Sequence, residues 1–150
     1  MDDIGYLAER AAIFFGYLDT NEILDVIPYR KKAWADLEAR VQSGSVAKLR
    51  NLNKFIDNVL IGPGSLGVDQ RMDIIRLFDE RLNEGENTLI KDKLTLFNKI
   101  IKDGFIKSNL VINDAVEIEN SPILNLTSEQ KAALRRIIVY SMEQRQLAKK

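Results

Sequence analysis

The sequence predicts a mainly α fold, a bundle of six to seven helices with a small two-stranded β-ribbon near residues 105–119. Three observations predict it. Apolar residues recur at three- and four-residue spacing along most of the chain, the pattern of helices with one buried stripe. Each stripe stops at a glycine, a proline or a capping residue. The period changes only in "FIKSNLVINDAVEIEN", residues 105–120, which alternates imperfectly and is rich in β-branched side chains. With 150 residues and 45% apolar content, the chain has the size of one ordinary domain and is expected to bury roughly 70% of its unfolded surface. Residues 1–150 therefore read as a single α-helical domain.

The first helix rests on Ile4, Leu7, Ala8, Ala11, Ala12, Phe15 and Leu18, a wide apolar stripe. "DTNE" reads as an N-terminal cap, with Asp19 or Thr20 as acceptor and Glu22 reaching back, ahead of a short helical turn "ILDVI". Pro28 suits the first turn of the next helix, because it has no amide to donate and its φ is already helical. Tyr29, Ala33, Trp34, Leu37 and Val41 mark one face of that helix, and Gly44 stops it. Ser45 caps a further helix with Leu49, Leu52, Ile56, Val59 and Leu60 inward. Asp69 caps the next, with Ile74, Ile75, Phe78 and Leu82 inward and Gly85 at its end; Asn87 caps another, with Ile90, Leu94, Phe97 and Ile101 inward and Gly104 at its end. In the ribbon, "ND" supplies the left-handed backbone of a tight hairpin turn. "TSEQ" is a capping box, Thr127 with Gln130, opening a last helix that turns Leu134, Ile137, Ile138 and Ser141 inward and carries Lys149 and Lys150 at its negative dipole end.

Composition removes several chemistries. The chain has neither cysteine nor histidine, so disulfides, thiolate metal sites and cysteine nucleophiles are excluded, and so are the usual general base near neutral pH and the usual nitrogen metal ligand. No cofactor, metal site or catalytic group is expected. "MDDIGYL" carries acids where a targeting peptide needs bases, and "AAIFF" is far shorter than the ~20 apolar residues of a membrane span. The expectation is a soluble protein of the cytoplasm or another intracellular setting, including association with a virus particle, and no membrane partner.

A formal net charge of zero conceals alternating blocks. Residues 1–27 hold six acids against one base, and residues 28–59 seven bases against three acids. The acids of 66–90 and 112–130 likewise alternate with the bases of 91–111 and 131–150. Such blocks pair within one fold or across an interface, whereas a dedicated nucleic-acid module carries an overall basic excess.

The stretch "IGPGSLG", 61–67, sets glycines ahead of a helix, where backbone amides can approach an anion. It lacks the Lys-Ser/Thr ending of a P-loop, follows no β-run and misses the Gly-x-Gly-x-x-Gly register. "PGSLG" with Ile74 and Leu77 resembles the Pro-Gly-x-Gly turn of a helix-hairpin-helix unit with one extra residue, and "PYRKKAW" upstream is similar to the N-terminal lyase domain of family X DNA polymerases. The two motifs cover less than half the chain. The resemblance implies DNA-phosphate contact by the turn at 62–67. It does not extend to lyase activity, because the helix that carries the family's Schiff-base lysine here reads "VDQRMDII", with Arg71 and the acids Asp69 and Asp73. "LFNKIIKDGFIKSNLVINDAVEIEN" looks like the end of a winged helix, but the span between Gly85 and Gly104 is too short for two helices and a turn, and the wing would carry Asp114, Glu117 and Glu119. Asp69 with Asp73, four apart on a helix, and Glu117 with Glu119, two apart on a strand, each share a face and invite comparison with magnesium ligands; solvated pairs explain them better. Tyr29 and Trp34 fall on an apolar face and read as core before a base-stacking platform.

The function expected is a non-catalytic interaction or assembly subunit, an adaptor in a larger complex or virus particle, with a protein partner or a homo-oligomer. The alternative is a DNA-binding module that combines the 62–67 turn with the basic helices of 28–58 through Arg30, Lys31, Lys32, Lys48, Arg50 and Lys54. Arg135, Arg136 and Arg145, with Lys131, line the outer side of the last helix and are candidates for an acidic partner.

Overall fold

A computed structural model describes residues 3–23 and 32–148. Among them the chain is helical: α1 (Asp3–Thr20), α2 (Ala33–Gln42), α3 (Val46–Ile61), α4 (Val68–Arg81), α5 (Thr88–Asp103), α6 (Asn109–Glu119) and α7 (Ser128–Ala148). The described residues contain no strand and no sheet. No described helix is long and apolar enough to cross a membrane. The expected turn of helix at 23–27 lies outside the described residues beyond Ile23, as do Pro28, Tyr29, Arg30, Lys31, Lys149 and Lys150.

The chain divides into two compact units, Met1–Leu60 with Gly64–Thr88, and Ile61–Pro63 with Leu89–Lys150. In the first, α1 packs against α2 and α4. Its core is Phe14, Phe15 and Leu18 of α1, Leu49, Leu52 and Ile56 of α3, and Ile74, Ile75 and Phe78 of α4, all essentially inaccessible to water. Each such side chain contributes about 1.5–3 kcal/mol through burial. In the second, α6 packs against α7, with Ile112, Ala115 and Ile118 on one side and Leu134 and Ile138 on the other.

The β-ribbon expected at 105–119 is replaced by α6. Ser108 has extended backbone and its hydroxyl accepts from the Leu110 amide, which is helix N-capping. Ile112, Ala115 and Ile118 then recur every three residues and bury one stripe. The β-branched propensity of "LVINDAV" is worth tenths of a kcal/mol per residue, less than burial of that stripe contributes. "ND" lies inside the helix and makes no turn.

Local signals fare unevenly. Ser45 accepts from the Lys48 amide, and Thr127 and Gln130 form a reciprocal capping box. Gly44 and Gly104 adopt positive φ at helix ends, as C-terminal stops require. "DTNE", by contrast, closes α1: Glu22 has φ 57°, its amide donates to Asp19 O, and the Ile23 amide donates to Leu18 O. The paired bonds are those of a Schellman stop. Asn83 (φ 54°) ends α4 in place of Gly85, with the Glu84 amide reaching back to Asp79 O. Neither Asp69 nor Asn87 caps a helix. Gly67 precedes α4 and donates to Gln70 Oε1, while the Asp79 carboxylate accepts from the amides of Asn87 and Thr88 and so caps α5 from within α4.

Candidate functional site

The turn between α3 and α4 is built around Arg71. This side chain is fully buried, and its guanidinium donates to Leu66 O at 2.7 Å, Leu60 O at 3.0 Å and Gly64 O at 3.3 Å. Leu60 O is one of the last carbonyls of α3, a group with no intrahelical partner at the negative end of a dipole, so a cation with five rigid donors suits it. Gly64 has φ 157°, and a Cβ there would lie 3.8 Å from the Arg71 guanidinium. Leu66 is buried as a plug, while Pro63, Gly64 and Ser65 are exposed.

This arrangement orients the turn's amides. In a planar trans peptide the C=O and N–H point in opposite directions. Because Gly64 O faces inward to Arg71, the Ser65 N–H faces away from it; Leu66 O likewise faces inward, and the outward Gly67 N–H is taken by Gln70. The carbonyls of this turn therefore serve a structural cation, and the Ser65 amide is directed away from it.

The basic residues read from the sequence do not converge. Lys32, Lys48 and Arg50 are exposed and Lys54 is half-buried. On a helix with 3.6 residues per turn, Lys48 and Arg50 lie about 160° apart, and Lys54 follows Arg50 on its flank. Arg50 approaches Asp3 at 3.8 Å. Lys48 lies beside α2 instead, where its carbonyl accepts from Arg40, itself paired with Asp36 at 2.8 Å. On α7, Arg135 pairs with Glu119 at 2.8 Å, and Arg145 donates to Asn109 and to the Lys107 carbonyl. Arg136 is exposed and has no such tie among the described residues.

The acidic pairs are also dispersed. Asp73 accepts from Tyr17 at 3.0 Å and from Arg76 at 3.3 Å. Glu117 and Glu119 share no face: on α6 two residues span about 200° of rotation. Among the described residues no group of three or more carboxylates could hold a metal ion. A concavity of about 600 Å³ in the first unit is lined by Met72, Arg76, Asp79, Glu80, Glu84 and Glu86, but Asp79 is engaged in capping α5, and Glu84 accepts a short hydrogen bond from Tyr6.

Two buried cations escaped the sequence reading, Arg71 and Arg10. Arg10 sits between three helices: it pairs with Asp57 at 2.5 Å, donates to Asn53 Oδ1 at 3.1 Å and lies 4.3 Å over the Phe78 ring. Asn53 is oriented for this by its own donations to Leu7 O and Leu49 O. The signal for Arg10 was its place inside the α1 apolar stripe; for Arg71 it was the proximity of a cation to three glycines.

The Tyr6 phenol is pushed up to about 12, first by burial and then by its hydrogen bond to, and repulsion from, Glu84. Tyr17 is raised by burial and by Asp73. A raised phenol stabilises the fold fully below its unfolded pKa near 10, and that stability is lost as pH rises from 10 through 12. The melting temperature should therefore fall over this window, and Tyr6→Phe should flatten the fall; an identical slope in the variant rules out this contribution.

No protein-family model, curated protein or solved structure matches this chain.

Proposed function

We propose that the chain is a non-catalytic interaction module whose principal partner-binding surface lies in the second unit. One observation carries this reading. Of the nine large apolar side chains exposed among the described residues, six (Ile101, Leu110, Val139, Tyr140, Met142 and Leu147) belong to that unit, and four of the six are on α7. Exposed apolar groups gathered on one region of a protein, interspersed with charge, are characteristic of association surfaces. Arg136, exposed on the same helix and without an ion pair among the described residues, supplies an attraction for acidic groups. Arg135 and Arg145 brace the surface, since each fastens α7 to α6 or to the chain just before it.

The test is a pull-down from the native host with light scattering on the purified protein. A stoichiometric complex or defined oligomer is expected, with Val139→Lys/Met142→Lys dissociating it and leaving the melting temperature within about 2 °C, as surface substitutions do. A strict monomer without a stoichiometric partner disposes of the reading.

A second reading, contact of the 62–67 turn with a DNA phosphate, is favoured by the outward Ser65 amide. Asp69 and Asp73 oppose it electrostatically. Duplex binding that falls steeply with salt and is lost in Ser65→Pro, which removes that amide, would support it; no binding at low salt removes it.

A further inference from the structure

A groove of about 470 Å³ lies in the second unit between α5 and α6. Its floor is apolar: Leu96, Ile100, Phe105 and Val111. Lys99 and Lys107 stand exposed at its edges, with Asp103 between them. Among the described residues neither ammonium forms an ion pair, so the groove presents apolar surface under a net positive rim.

One wall is fixed in place. The Ile106 amide donates to the buried hydroxyl of Ser141, Arg145 holds the Lys107 carbonyl and Asn109, and Phe105 meets Tyr140 edge-on with ring centroids 6.0 Å apart. These ties come from α7 and hold the segment between α5 and α6 in place. A wall already ordered before binding loses little conformational entropy on association. Leu110, next to Val111 in the chain, is 62% exposed on the first turn of α6.

We infer that this groove receives a short acidic, amphipathic segment of a partner protein, seating apolar side chains on Leu96, Phe105 and Val111 and carboxylates against Lys99 and Lys107. The inference rests on the interaction-module reading and names the partner's chemistry. The rim argues for a carboxylate-bearing occupant, since a basic segment would bury or crowd two unpaired ammonium groups. The floor argues against nucleic acid, whose phosphates gain nothing from aliphatic side chains. A segment that carries both apolar side chains and carboxylates can meet the floor and the rim at once.

The full-length protein, biotinylated at its N-terminus, is screened against a random dodecapeptide phage library, and the most enriched peptide is titrated by fluorescence polarisation. Enriched sequences are expected to carry at least two large apolar residues flanked by Asp or Glu. Lys99→Glu/Lys107→Glu should weaken binding at least tenfold with unchanged circular dichroism and melting temperature, while Arg81→Glu, exposed at the end of α4 in the first unit, should leave affinity within twofold. Equal affinity for the lysine variant, or enrichment of basic peptides, overturns the proposal. So does light scattering that shows a dimer abolished by the lysine variant, which assigns the groove to a second copy, and so does lysine-dependent co-sedimentation with phosphatidylserine vesicles, which assigns it to lipid. Loss of binding in Arg136→Glu alone leaves the interaction module standing and moves its site to α7. No enriched peptide together with no stoichiometric host partner removes both.

Discussion

Replacing Arg71 by methionine should lower the stability of the first unit by roughly 3–5 kcal/mol, the cost of breaking a buried charged hydrogen-bond set by removing one side of it. Methionine fills much of the volume, so the loss is not primarily a cavity effect. It arises because Leu60 O, Gly64 O and Leu66 O keep their inward direction and lose a donor that no apolar side chain supplies. For a unit of this size such a loss corresponds to a fall in melting temperature of about 10 °C or more, readable by circular dichroism, with a matching drop in urea midpoint. Arg71→Lys should recover less than half of it. An ammonium is a point charge on a flexible stem and cannot hold three carbonyls in the fixed fork of a guanidinium. A methionine variant that melts within about 2 °C of the parent would show that the turn reorganises, and that the buried cation does not hold it.

The second large effect concerns Arg10. Arg10→Met removes a cation that pairs with Asp57, donates to Asn53 and covers Phe78, and leaves a carboxylate facing an apolar side chain; the expected cost is about 2–4 kcal/mol. The Asp57 side chain keeps partial access to water, which tempers the figure. The informative measurement is the pair of variants. Arg10→Met/Asp57→Leu should be more stable than Arg10→Met alone, because the second change removes the carboxylate that has lost Arg10 and adds apolar contact. A double variant that loses the sum of the two single losses would mean that the residues act independently, and that the ion pair itself contributes nothing.

Those two cations mark where the sequence stops being legible. Helices and many of their ends are local statements: Ser45, Gly44, Gly104 and the Thr127–Gln130 box act on backbone within a few residues, and their letters can be read in place. Arg71 and Arg10 depend on partners set by the fold, among them backbone carbonyls, which have no letter at all. The capping of α5 by Asp79 has the same character, since the carboxylate lies a full turn and a loop away from the amides it serves. The misreading of α6 differs in kind. Its β-branched residues support a strand and its three-residue spacing supports a helix; an N-cap at Ser108 and packing on α7 decide for the helix. Of the candidate basic residues, their exposure could be anticipated for Lys32, Lys48, Arg50 and Arg136, but not that Arg135 and Arg145 would be tied to neighbouring segments, because those contacts span 16 and 36 or more residues.

Trp34, the chain's single tryptophan, stands edge-on to Phe15 at 5.7 Å between centroids and is 43% exposed. It gives the protein an intrinsic fluorescent gauge at the seam between α1 and α2. Emission that shifts to the red on warming before ellipticity falls would report α2 lifting away while the remaining helices persist, and a shift to the blue on titration would register anything that settles over that seam, without any attached dye.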